Sequence, residues 1–192
     1  VIITDAMFYH EYIAVYLYGM EPYFPRTEEP VTKYTMGMAV TYMPSIVVGY
    51  ILTEIKGIDH DYSRNPIYQR ILYYSGFFYA LIGLIFLRLI LKKWLDNFVI
   101  ILVLAVIFFG TNLFYYVRAE PLMAHAPCFA FMTAFLYYSL KLFDKVTLKT
   151  GIGMGIFLAL LTLIRPTNII VAIFPLIYFF TQKIPWSDKI KF

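Results

Sequence analysis

Charge is scarce in this chain. Only 15% of its 192 residues are Asp, Glu, Lys or Arg, where soluble domains carry about a quarter. Cysteine is nearly absent. Cys128 stands alone, so no internal disulfide can form, and its place in an apolar run makes it a small packing residue. Histidine occurs at His10, His60 and His125 only, far apart and without the spacing of metal ligands. No phosphate-cradling loop is present. Gly151, Gly153 and Gly155 lack the Lys-Ser/Thr and the strand–helix context of such a loop, and read as a helix-packing face. Nothing supports a Ser–His–Asp site, and internal repeats and low-complexity tracts are missing. These absences exclude a disulfide scaffold, a P-loop nucleotide-binding protein, a triad hydrolase and a repeat array. No metal site and no cofactor are expected, although a divalent ion is left open.

What the chain has is apolar mass. It is 61% hydrophobic and 20% aromatic. The apolar residues lie in runs comparable to the ~20 residues a membrane helix needs. An all-α polytopic membrane protein is expected. Residues 1–33 are mixed, with Asp5, Glu11, Glu21, Glu28 and Glu29 against Arg26 and Lys33. Phe8, Tyr12, Val15 and Tyr16 read there as an aromatic amphipathic helix in the interface. Pro22, Pro25 and Pro30 force an extended passage after it. Residues 34–55 are long enough to span but carry Pro44, so they read as either a span or a bent juxtamembrane segment. After a polar loop to residue 70, apolar runs follow at 71–91, 98–116, 122–142 and 151–180. The last is broken by Arg165-Pro166-Thr167-Asn168. Each half is too short to cross a ~30 Å hydrocarbon core alone. The run is one kinked span or a hairpin.

The formal charge of +4 is read as topology, not as nucleic-acid binding. Lys92 and Lys93 share a side with Lys141, Lys145 and Lys149, and that side is expected to be cytoplasmic. The basic tail prefers the same side, which favours the hairpin. The polar stretch Phe109 to His125 then faces outward. So does an outer first loop, residues 1–70, provided that 34–55 does not cross.

Phe109 to His125 is a polar knot between greasy runs, with Arg118, Glu120 and His125 close together. Ionisable groups at such a place usually face a water-filled cavity. The plainer reading is an interfacial loop in which Arg118 and Glu120 solvate each other. On the outer face Asp5, Glu11 and Lys33 would join the knot, and Arg165 would rise to it from the hairpin tip. A carboxylate is what a general base needs, and cations are what a phosphate leaving group needs. Plainer roles exist: Asp5 as a helix cap, Lys33 snorkelling, His125 as packing. Arg165, a charge inside an apolar run next to a helix-breaking Pro, is the hardest to dismiss.

At this point the chain resembles the GT-C superfamily of polytopic glycosyltransferases, in particular its protein-mannosyltransferase-like and lipid A aminosugar-transferase-like members. Thr4-Asp5 opens the first loop, with Tyr9 and Tyr12 following. Lys33-Tyr34-Thr35-Met36-Gly37 leads into an apolar stretch with Pro44. Gly110 to Tyr116 precedes Glu120, and Leu163 to Asn168 carries a Leu-x-Arg-Pro-Thr-Asn run. The resemblance implies a GT-C helix bundle of which this is the N-terminal part, with a helix upstream of Val1 and more spans beyond. It implies Asp5 as catalytic base and Glu120 as a second acid. It implies Lys33 and Arg165 as ligands of the donor phosphate, with Glu11, Arg118 and His125 as further substrate contacts. Two positions depart from the pattern: Ala6 stands where many relatives have a second acid, and Tyr34-Thr35 replaces prolines.

The function expected is transfer of a sugar from a polyprenyl-phosphate carrier to a lipid, glycan or protein acceptor outside the cytoplasm. The setting would be a bacterial inner membrane, with membrane lipids as surroundings and no nucleic acid. The alternative is a multi-pass transporter or lipid-carrier flippase, because a broken hairpin with a polar tip also suits a substrate path. A non-catalytic subunit of a larger complex is a third reading.

Overall fold

The computed structural model describes residues 36–57 and 65–181. Of these, 87% are helical and none lies in a strand, so this part of the chain is all-α. Helix α1 runs Met36–Lys56, α2 Pro66–Leu91, α3 Asn97–Gly110, α4 Asn112–Arg118, α5 His125–Asp144 and α6 Leu148–Ile164. A 3-10 segment, Pro166–Ala172, leads into α7, Ile173–Thr181. By length and composition α1, α2 and α5 can each cross a membrane, and α3 with α4 reach that length only as a pair bent by 60°.

Local chemistry sets the helix ends. Asn65 caps α2 by accepting from the Ile67 N–H at 2.9 Å, and Pro66 fills the first helical position, where a missing N–H costs nothing. Asp96 caps α3 by accepting from the Phe98 and Val99 N–H groups. Thr147 and Thr150 bond reciprocally at the start of α6. The apolar run 98–116 is two helices because of Thr111. Its backbone is extended, and its hydroxyl donates back to the Ile107 carbonyl at 2.6 Å while accepting from the Leu113 N–H. α1 is continuous through Pro44. That proline removes the donor for the Val40 carbonyl. In the same turn the Tyr79 hydroxyl donates to the Thr41 carbonyl at 2.5 Å, so polar groups support the weakened stretch.

α1, α2, α5 and α6 close a ring of helices, with the broadest packing between α2 and α5 and between α5 and α6. Small residues let the backbones approach, as in membrane bundles generally. At Gly37 a Cβ would overlap the Leu163 carbonyl, so α1 crosses the end of α6 backbone to backbone. Gly76 meets the Pro121 carbonyl in the same way. Tyr42, Tyr68, Leu72, Phe131, Phe135, Leu161 and Ile164 fill the centre. α3 stands outside this ring and buries only Ile100.

The chain reverses after α6. Ile164 lies near the start of α1, whereas the Tyr178 ring of α7 sits 4.7 Å from Phe143, at the far end of α5. The turn falls at residues 165–168, which puts Arg165 at its tip.

Candidate functional site

The site forms where three helix ends meet: the end of α4, the start of α5 and the end of α6. α5 begins at His125 directly after the turn that follows α4. Pro127 is buried in its first turn, where it forfeits no intrahelical bond. The His125 ring stacks on Tyr116 of α4, with centroids 3.6 Å apart and planes 17° from parallel. Both Arg165 and Glu120 lie within electrostatic reach of His125. His125 is therefore the residue that links two others singled out in the sequence, Glu120 and Arg165.

Glu120 and Arg118 do not solvate each other. The Tyr115 hydroxyl donates to Glu120 Oε1 at 3.2 Å. Arg118 donates from Nη1 to the Tyr73 hydroxyl at 2.9 Å, and that hydroxyl donates in turn to the Arg118 carbonyl at 2.7 Å. The arrangement follows from helix geometry. Tyr116 and Arg118 are two residues apart and so point to different sides of α4. Tyr116 faces α5, while Arg118 faces α2. The interfacial-loop reading, in which these charges pair, is not what the chain adopts.

Arg165 follows the last residue of α6 and is exposed. Its guanidinium has no hydrogen-bonded or ion-paired acceptor among the described residues. Its backbone is well held. The Arg165 N–H donates to the Leu161 carbonyl at 3.0 Å, and the Asn168 N–H donates to the Arg165 carbonyl at 2.9 Å. Asn168 Nδ2 also donates to the Leu161 carbonyl at 3.1 Å and lies 3.5 Å from Cys128 Sγ. This amide adds a second donor to the Leu161 carbonyl and ties the break to α5. The start of α5 has no side-chain cap from Ala124, and its first turn is packed in, with Ala124, Ala126 and Pro127 buried. An uncapped helix N-terminus carries free N–H groups and a partial positive charge. Arg165 lies within electrostatic reach of this helix start, at His125.

Asp5, Glu11 and Lys33 lie outside the described residues. The chain enters the described part at Met36, one residue before the crossing of Gly37 over Leu163. Leu163, at that crossing, lies two residues before Arg165. Among the described residues no three His, Cys, Asp or Glu side chains are grouped to hold a metal ion.

The tyrosines were not legible as site residues. Tyr73, Tyr115 and Tyr116 hold Arg118, Glu120 and His125 in turn, but in a chain with 18 tyrosines no single one stands out. Tyr42 adds to the same set, donating to the Pro121 carbonyl at 3.0 Å and fixing the knot to α1.

Fold and site together define an integral membrane helix bundle with a charged break at one end. No family model, curated protein or solved structure matches the chain.

Proposed function

We propose that the protein is a membrane glycosyltransferase of GT-C type, moving a sugar from a polyprenyl-phosphate carrier to an acceptor outside the cytoplasm. The observation that carries this reading is the guanidinium of Arg165 at the helix break, without a partner among the described residues and within electrostatic reach of His125, which Glu120 also reaches. An anion-accepting corner next to an acid is what displacement of a lipid phosphate requires. Arg165 and Lys33 stabilise the departing phosphate. Asp5 takes the acceptor proton. Glu120, held by Tyr115, is the second acid, and His125, fixed by Tyr116, lines the donor side. The bond to the phosphate oxygen breaks as the acceptor oxygen attacks the sugar carbon.

The test is transfer of labelled sugar from polyprenyl-phosphate donors by the protein in its membrane, beside the Asp5→Asn variant. Transfer that disappears with Asp5→Asn supports the assignment, and full transfer by that variant removes Asp5 as base. A lipid-carrier flippase is the second reading, favoured by the chain reversal at Arg165. It predicts intact donor in both samples and labelled lipid changing leaflets.

A further inference from the structure

On the opposite side of α4 from His125 lies a groove of about 1070 Å³ between α1, α2 and the α3–α4 bend. It is lined by apolar and aromatic side chains, among them Val48, Phe77, Phe78, Ile82, Phe108 and Phe114. Many of these are exposed and face outward, toward what would be lipid. The bend at Gly110–Thr111 opens the concavity, because a straight α3–α4 would have laid its end along α2.

One end of the groove is polar. Arg118 lines it together with Tyr73 and Tyr74. The Tyr73 hydroxyl accepts one guanidinium N–H, and the rest of the fork has no acceptor among the described residues. No Asp or Glu lines the groove. The nearest acid in sequence, Glu120, is engaged by Tyr115. The other end is closed by Ile82 and Phe108. From Tyr73 to Ile82 is about 14 Å of helix, close to the depth of one leaflet of a ~30 Å hydrocarbon core.

We infer that this groove is a binding site for an anionic phospholipid, with one acyl chain between α2 and the α3–α4 bend and its phosphate on Arg118. An apolar channel that opens sideways and is one leaflet deep fits a lipid chain better than any water-soluble ligand. A guanidinium with an unfilled fork at its interfacial end matches the phosphate in charge and geometry. The inference uses neither Arg165 nor His125, and it gives Arg118, which the GT-C resemblance made a substrate contact, to the phospholipid instead.

The experiment reconstitutes the protein in phosphatidylcholine vesicles doped with a phosphatidylglycerol, or in parallel a phosphatidylcholine, that carries a photoreactive diazirine in one acyl chain. Cross-linked peptides are then mapped. The expected result is labelling concentrated on residues 73–82 and 108–118, several-fold stronger with the phosphatidylglycerol probe. Arg118→Gln should abolish that preference, and Val48→Trp, which fills the groove from an exposed position, should remove labelling there at least fivefold. Helicity by circular dichroism checks that both variants are folded. Labelling spread evenly over all lipid-facing helices, α3 at Val106 included, with no headgroup preference and no response to either substitution, would overturn the site.

Discussion

The two ends of the bundle differ in how their helix ends are closed and in where an unpaired charge sits. At the end formed by the close of α2 and of α5, Lys93 meets Asp144 at 2.6 Å, and Lys141 lies over the Tyr137 ring at 4.8 Å. The helices that start there are capped, α3 by Asp96 and α6 by the Thr147–Thr150 box. At the opposite end α5 starts uncapped, Arg118 rests on a neutral tyrosine, and Arg165 has no acceptor among the described residues. The first end caps its helix starts and pairs Lys93, with Lys92, Lys145 and Lys149 exposed and without an acceptor among the described residues; the second leaves Arg165 without one, with Glu120 as the acid nearby. What sets Arg165 apart from the exposed lysines is its place inside an apolar run, where a charge is costly unless a cavity or an anion receives it.

The sharpest way to break that contrast is Arg165→Gln. Removing one stabilising donor from a developing anion costs about 10²–10³-fold in turnover. That loss is expected in sugar-transfer assays, with unchanged thermal unfolding because the exposed Arg165 side chain has no hydrogen-bonded or ion-paired partner among the described residues. A comparable fall in melting temperature would show Arg165 to be structural.

Gly37→Val attacks the same end through packing. The new side chain must displace the Leu163 backbone, and such overpacking costs about 1–3 kcal/mol. Thermal unfolding in detergent should drop on the order of 5 °C. Activity is expected to fall with it, since α1 carries the segment that leads from Lys33.

Tyr116→Ala should act more gently. It removes a stacked partner worth about 0.5–1.5 kcal/mol and frees His125 to turn. A few-fold loss of turnover, largely restored by Tyr116→Phe, is expected in the same assay, because the ring and not the hydroxyl does the holding.

Lys93→Gln should do least. Both partners of its ion pair are well exposed, at 38% and 55%, and such pairs contribute about 0–1 kcal/mol. No change in turnover is expected. A large catalytic effect from this substitution would erase the distinction between the two ends.

The broad architecture was readable because long apolar runs leave few alternatives in a membrane. α1, α2 and α5 coincide with such runs, and the break before Pro166 announced itself through a charge and a helix breaker in apolar sequence. The bend at Thr111 did not. Thr is unremarkable inside an apolar run, and only its hydroxyl bonds to Ile107 and Leu113 reveal it as a cap. The partners of the knot were hidden for a similar reason. Arg118 and Glu120 look like a natural pair in sequence, but Arg118 ends α4 facing α2 while Glu120, in the turn after it, meets Tyr115, and the tyrosines that receive them are too numerous to single out. Gly37 was visible as part of a motif, yet its reason, a backbone crossing over Leu163, belongs to tertiary packing.

The central claim is that the open end takes a lipid phosphate. It is tested most directly by binding of a short-chain polyprenyl phosphate to the protein in nanodiscs, measured for wild type, Arg165→Gln and Lys93→Gln. The account predicts saturable binding that Arg165→Gln weakens at least tenfold and Lys93→Gln leaves intact. Binding that is equally tight in all three, or weakened equally by both substitutions, would contradict it.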